Sequence, residues 1–149
     1  MRKVIPLSFL LCLLLLAGCK AVSAGVNFNP GGEFSKAQKI VVLDAAGTEK
    51  AVLESEEEID GFVQAMNVEG WSLATELPED LEKAGSFTLW QTETVTALLG
   101  EKEAEVKEIC TFIVYQDGDY LTIDTGFASI TISFSVPEET SAYLRNLLQ

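Results

Sequence analysis

The segment Glu-Ile-Cys-Thr-Phe-Ile-Val-Tyr-Gln-Asp-Gly-Asp-Tyr-Leu-Thr-Ile-Asp, residues 108–124, decides the fold. Two runs rich in β-branched and aromatic residues, 108–115 and 120–124, flank Asp117-Gly118. An Asp-Gly pair between such runs is a strong signal for a β-hairpin. The turn predicts four pairs across the hairpin: Tyr115 with Tyr120, Val114 with Leu121, Ile113 with Thr122, and Phe112 with Ile123.

That register separates the side chains into two faces, because neighbours along a strand point to opposite sides. The face expected to be buried holds Cys110, Phe112, Val114, Leu121 and Ile123. The opposite face holds Thr111, Ile113, Tyr115, Tyr120, Thr122 and Asp124. A slip of one residue would mix the two sets, so the alternation supports the register.

Further strands are predicted on both sides of the hairpin. Residues 39–43 and 51–53 read as two strands joined by a turn at 44–47, and 87–98 reads as one long strand rich in Thr and Val. A last strand is expected over 128–136, with Ile130, Ile132 and Phe134 facing inward. The stretch 71–85 reads as a connection. The charged stretch 101–108 reads as a spacer, either a wide turn or one helical turn.

Two helices are predicted from capping and periodicity. Ser55 followed by Glu58 forms a capping box, and the apolar residues after it repeat at helical spacing: Ile59, Phe62, Val63 and Met66. Pro137 opens a final helix, whose apolar side holds Leu144, Leu147 and Leu148. These elements predict an α+β fold, with a mainly antiparallel sheet of about five to six strands and two helices packed on one face.

The amino terminus has the pattern of an export signal. Arg2 and Lys3 precede an apolar run over 4–16, which is shorter than the about 20 residues that a membrane-spanning helix needs. The run ends in Leu16-Ala17-Gly18-Cys19, which resembles the lipobox of bacterial lipoprotein precursors. The resemblance implies cleavage between Gly18 and Cys19, a diacylglyceryl group on the Cys19 sulfur, and a location at the extracytoplasmic face of the cell membrane. It leaves open whether that face is a Gram-positive surface or a periplasm.

The signal divides the chain into three parts. Residues 1–18 are the predicted signal peptide, 19–37 a flexible tether of small and polar residues, and 38–149 a single α+β domain. The layout of the mature part resembles small uncharacterised lipoproteins of Gram-positive bacteria, which implies no particular activity.

Charge and cysteine content narrow the function classes. Without residues 1–18, eight basic and 23 acidic residues remain, a net charge of −15. Nucleic acid is therefore excluded as a partner, since its binding requires basic patches. Once Cys12 leaves with the signal and Cys19 is lipidated, Cys110 has no partner for an intramolecular disulfide.

The sequence offers little catalytic chemistry. It contains no histidine, so the commonest general base and zinc ligand are missing. Asp117-Gly118-Asp119 starts like a calcium loop, but Leu121 and Ala128 stand where ligands are needed. We therefore expect no metal, no cofactor and no enzyme activity. The enzymatic alternative is a glycosidase-like hydrolase that uses two carboxylates.

One face of the sheet suggests binding. Trp90 alternates with the inward-facing residues of its strand, and Ile113, Tyr115 and Tyr120 point away from the core on the hairpin. Aromatic side chains among hydroxyl groups suit a glycan, a peptide or a protein, although they are also common on an ordinary half-solvated sheet. We therefore expect a membrane-tethered, non-catalytic binding module. A further alternative is an inhibitor or accessory subunit of another envelope protein.

Overall fold

Seven strands form a single antiparallel sheet in the computed structural model, which describes residues 30–96 and 102–149. Along the chain the strands are β1 (Lys39–Asp44), β2 (Glu49–Leu53), β3 (Ser72–Leu73), β4 (Lys83–Thr96), β5 (Lys102–Tyr115), β6 (Tyr120–Asp124) and β7 (Thr131–Ser135). Their order across the sheet is β2-β1-β4-β5-β6-β7-β3. The predicted α+β fold is confirmed, with a larger sheet than expected.

Three helices lie within the described residues: α1 (Pro30–Phe34), α2 (Glu56–Met66) and α3 (Glu138–Leu147). A short 3-10 helix, Val68–Gly70, follows α2. None of the described helices combines the length and the apolar content needed to cross a membrane. The signal, the lipobox and Cys19 lie outside the described residues.

The core lies between one face of the sheet and the helices. Phe62 of α2 stacks on Phe112 of β5, with ring centroids 6.3 Å apart, and also contacts Phe87 of β4. Thr140 of α3 donates a hydrogen bond to the carbonyl oxygen of Met66, which joins the two long helices. The sheet residues in this core are Ile40, Val42, Leu53, Phe87, Leu89, Cys110, Phe112, Val114, Leu121 and Ile123.

The structure confirms the inner face of the hairpin and three of its four predicted pairs. Val114 pairs with Leu121, Ile113 with Thr122, and Phe112 with Ile123. The ladder between β5 and β6 ends at Val114 with Leu121, one pair short of the predicted pair of Tyr115 with Tyr120. The chain then turns through residues 116–119, where Gly118 has a φ of 73° and Gln116 N–H donates to Glu82 O.

The capping box of α2 is present as predicted. The Ser55 hydroxyl accepts a hydrogen bond from Glu58 N–H, and the Glu58 carboxylate accepts one from Ser55 N–H. The Ser55 hydroxyl also donates to the Glu58 carboxylate, and this bond, followed by those from the N–H groups of Ser55 and Glu54, holds the pKa of Glu58 below its usual range. Pro137 is the cap residue before α3, and Leu144 is buried as expected, with Leu147 and Leu148 half-buried.

Two predicted connections are instead partly strand. The charged stretch 101–108 is neither a wide turn nor a helical turn from residue 102 onward, because it belongs to β5. A strand exposed to solvent on both faces needs no alternation of apolar residues, so the hydrophobic pattern does not predict a strand over this stretch. The connection 71–85 contains β3 and the start of β4 at Lys83.

The last strand begins later than predicted, at Thr131. Ala128 and Ser129 have φ angles of 51° and 56°, which belong to a turn. Ile130 is consequently 48% exposed rather than inward-facing. Ile132 and Phe134 do face the core side, opposite Ile123 and Leu121.

Residues 30–37, predicted as part of a flexible tether, pack against the core. Phe34 of α1 is fully buried, with its ring edge-on to Phe112 at a centroid distance of 4.7 Å. It also contacts Trp71, and Ala37 is buried beside it. The small residues around α1 are typical of a linker, and the single aromatic residue among them is what attaches the segment to the core.

Candidate binding surfaces

Three of the four predicted face residues, Ile113, Tyr115 and Tyr120, lie near the hairpin turn. All three are half-buried on the outer face of the sheet, opposite the helices. The Tyr115 hydroxyl is 2.8 Å from the Thr122 hydroxyl, which is itself 2.8 Å from the Ser133 hydroxyl. Since these groups bond to one another across three strands, this end of the face is a closed network with few free polar groups.

Trp90 lies at the other end of the same face. It pairs with Glu108 on β5, whereas Tyr115 pairs with Lys83 on β4. Lys83 and Trp90 are seven residues apart on β4, roughly 20 Å along a strand. The predicted face therefore divides into two separate surfaces, with the two tyrosines together and Trp90 apart from them.

A groove of about 310 Å³ surrounds Trp90, and we name it the Trp90 groove: Lys39, Val41, Trp90 and Val106. Val106 is 65% exposed, which is unusual for an aliphatic side chain. Lys39 forms an ion pair with Glu54, 2.9 Å between Nζ and Oε1, beside the groove. The lining is thus an aromatic ring and two valines next to one cation.

A β-bulge at Ile109 creates this groove. Leu89 pairs with Cys110, but Trp90 pairs with Glu108, so Ile109 is an extra residue on β5. Without the bulge, Lys107 would stand opposite Thr92; with it, Val106 does. The bulge therefore exchanges the two faces of β5 and brings an aliphatic side chain beside Trp90.

The strands beyond Trp90 form a two-stranded extension, which we name the arm: residues 91–96 of β4 and 102–108 of β5. The pairing of β1 with β4 ends at Trp90, and the pairing of β6 with β5 begins at Thr111. Six residues of β4 thus extend about 20 Å past the rest of the described sheet. Gln38 fastens the base of the arm, since its side-chain oxygen accepts a hydrogen bond from Thr92 N–H.

A second surface was not predicted from the sequence: an apolar cavity of about 480 Å³ on the helix side of the sheet. We name it the apolar cavity, and its lining residues are Glu33, Ile109, Cys110, Thr125, Phe127, Ile130 and Ile132. Phe127 is 75% exposed at its mouth. The volume lies in the range of small-molecule sites. Ile109 of the bulge and Ile130, which precedes the late start of β7, both line this cavity. Neither the bulge nor the late start of β7 has a clear signal in the sequence.

Internal hydrogen bonds hold the loop that closes the apolar cavity, residues 125–130. Ile130 N–H donates to Phe127 O, and Thr125 N–H donates to Ile130 O. The Asp124 carboxylate accepts a bond from Gly126 N–H. The loop thus has a defined conformation in which Phe127 projects outward.

Cys110 forms part of the cavity floor, but its thiol is not activated. The side chain is 2% exposed, and burial, aided by the negative charges of Glu108 and Glu33, raises the pKa of Cys110 to about 12. Nucleophilic cysteines require the opposite environment, with a lowered pKa. Cys110 thus acts as a small apolar residue of the core.

Acidic residues line a third, shallow groove of about 250 Å³ beside α2, among them Glu54, Glu56 and Asp60. All three are exposed, and Glu54 is ion-paired with Lys39. Across residues 30–96 and 102–149, no group of three or more His, Cys, Asp or Glu side chains could hold a metal ion.

Comparison of the chain with protein-family models, with curated proteins and with solved structures finds no match.

Proposed function

We propose that the chain is a lipid-anchored binding module on the extracytoplasmic side of the cell membrane, with no catalytic activity of its own. Its contact surface is the Trp90 groove, and its partner is an envelope protein that presents an extended segment. The lipobox Leu16-Ala17-Gly18-Cys19 supports the anchor. The observation that supports the contact surface is the juxtaposition of Trp90 with an exposed Val106 at the base of the arm.

An extended peptide fits this surface better than a glycan does. Val41 and Val106 give the groove aliphatic walls, which suit an apolar side chain rather than a hydroxylated sugar. Beside the groove, β5 pairs with β4 along one edge, and within the described part of the chain its other edge has no partner strand over residues 102–110. Unpaired strand edges bind extended segments through main-chain hydrogen bonds, while pockets select side chains.

The hydrolase alternative has weaker support. An acid that must stay protonated near neutral pH needs an apolar, enclosed site. The carboxylates that line the groove beside α2 are exposed instead, and the apolar residues of its lining are Ala37 and Ile59 alone. The carboxylates of this groove therefore lack the enclosed apolar site that such an acid needs.

A site-specific photocrosslinker at Val106 tests the contact surface in intact cells. We expect a crosslinked species of higher mass, reduced to a tenth or less by Trp90→Ala. The matched control is the same crosslinker at Gln64, an exposed residue of α2. Equal crosslinking from both positions, or crosslinking that survives Trp90→Ala, would contradict the proposal.

The anchor has a separate test. Cys19→Ala removes the sulfur that the lipid requires, so the protein should leave the membrane fraction or accumulate as the uncut precursor. Cys12→Ala is the control and should change neither property. Normal processing and membrane attachment of Cys19→Ala would show the anchor to be wrong.

A further inference from the structure

We propose that the mouth of the apolar cavity is a second membrane contact, in which Phe127 and Ile130 lie against the bilayer that holds the lipid on Cys19. This inference rests on the proposed anchor but not on the Trp90 groove. It assigns a lipid surface as the partner of loop 125–130.

The loop has the composition of a bilayer contact. Residues 125–137 contain no charged side chain, in a mature chain whose net charge is −15. Within this run Phe127 and Ile130 are 75% and 48% exposed, and they border an apolar cavity. Exposed apolar side chains that cluster around an apolar depression mark an interaction site more strongly than isolated ones do.

Several polar groups of the loop are bonded within the protein. The N–H groups of Thr125, Gly126, Phe127 and Ile130 all donate internally, and the Thr125 hydroxyl is near the carbonyl oxygens of Phe127 and Ile130. These bonds reduce the cost of placing the loop against hydrocarbon, where unpaired polar groups are unfavourable.

Only a short stretch of chain separates the proposed anchor from the cavity that this loop borders. Glu33 of α1 lines the apolar cavity, and α1 begins at Pro30, eleven residues after Cys19. Eleven residues span at most about 40 Å even when fully extended. A bilayer that holds the Cys19 lipid is thus within reach of Phe127.

The negative charge of the domain makes this uncharged loop the part of the surface best suited to approach a bilayer. Anionic headgroups repel an acidic surface within about a Debye length, roughly 10 Å at 0.1 M salt. An uncharged loop can approach where the acidic surface cannot. We therefore expect the contact on zwitterionic bilayers to weaken as anionic lipid is added.

A fluorescent probe in the lipidated full chain tests the proposal. Ser129→Cys introduces a thiol in the loop, while the native Cys110 is buried and resists labelling. The labelled chain is reconstituted into phosphatidylcholine vesicles with or without brominated acyl chains, which quench nearby fluorophores. The matched control is Gln64→Cys on the exposed side of α2.

We expect bromine quenching at residue 129 to exceed that at residue 64 at least threefold. The double variant Phe127→Ser/Ile130→Ser, with near-ultraviolet circular dichroism as the folding control, should reduce quenching at residue 129 to the level at residue 64. Equal quenching at the two positions overturns the proposal. So does a blue-shifted probe at residue 129 without bromine quenching, since that result indicates contact with protein or with a second copy.

Sedimentation with the vesicles separates this inference from the anchor. A chain that sediments but shows no preferential quenching overturns the membrane contact and leaves the anchor intact. A chain that stays in the supernatant overturns both, because the proposed contact requires the lipid on Cys19.

Discussion

Cys110 is the residue whose surroundings make the sharpest chemical prediction. Burial raises the pKa of Cys110 to about 12, so near neutral pH its thiolate fraction is far lower than that of a free cysteine. We expect alkylation by iodoacetamide at pH 8 to be at least about 100-fold slower in the folded protein than in guanidinium. Mass spectrometry of the Cys110 peptide over time measures both rates, and similar rates would contradict a buried, protonated thiol.

The same shift has a consequence for stability at alkaline pH. The folded protein retains the Cys110 proton above pH 9, where the unfolded chain loses it, so the free energy of unfolding decreases as the pH rises from about 9 toward 12. Tyr143, whose pKa burial also raises, acts in the same direction. The variant Cys110→Ala should lose part of this slope in urea titrations. An unchanged slope would show that Cys110 does not cause it.

Gly85 and Gly61 differ in the space available for a side-chain methyl group. A Cβ on Gly85 would lie 2.4 Å from Leu43 O and 2.4 Å from Leu148 Cδ2, whereas nothing lies within 4 Å of one on Gly61. Gly85→Ala should therefore reduce the free energy of unfolding by about 1–3 kcal/mol. Gly61→Ala, within the exposed side of α2, should increase it by about 0.5–1 kcal/mol. Chemical denaturation of both variants measures the pair, and equal effects would contradict the close approach at Gly85.

At the scale of elements, the arm predicts unequal protection along β4 and β5. Its strands pair only with each other within the described residues, and its side chains at Glu93, Glu105 and Lys107 are exposed. Isolated two-stranded hairpins are marginally stable in water. We expect amides of 104–107 to exchange hydrogen at least about 100-fold faster than those of 112–114. Hydrogen exchange with mass spectrometry measures the difference, and uniform protection would mean that another surface covers the arm.

Elements whose buried residues repeat at a regular spacing were predictable from the sequence, and those without such a repeat were not. The inner face of the hairpin follows from alternation, and α2 follows from its capping box and spacing, because burial imposes both patterns. The arm has no buried face, so its charged residues resemble a loop. The bulge at Ile109 has no local signature, and it alone decides that Val106 rather than Lys107 accompanies Trp90. The outward orientation of Trp90 could therefore be predicted from the sequence, but the presence of Val106 beside it could not.

At the scale of the whole molecule, the amino-terminal boundary of the domain can be measured. Phe34 is fully buried among Trp71 and Phe112, although it precedes the first strand. Phe34→Ala should lower the free energy of unfolding by about 3–5 kcal/mol, the usual cost of removing a buried phenylalanine. Lys36→Ala, an exposed neighbour, should change it by less than about 0.5 kcal/mol. An unchanged free energy of unfolding in Phe34→Ala would indicate that residues 30–37 do not contribute to the stability of the domain.

The fastening of Gln38 to the arm has a mechanical consequence. Gln38 N–H donates to Trp90 O, and Thr92 N–H donates to the Gln38 side chain, so the chain that arrives from α1 is bonded directly to the strand that holds the Trp90 groove. If the chain is anchored at Cys19 as proposed, a partner pulled away from the membrane would load the chain through α1 and Gln38, which continues into β1 and is bonded to β4. In that arrangement β6, β7 and β3, which lie beyond β5 in the sheet, would carry little of the load.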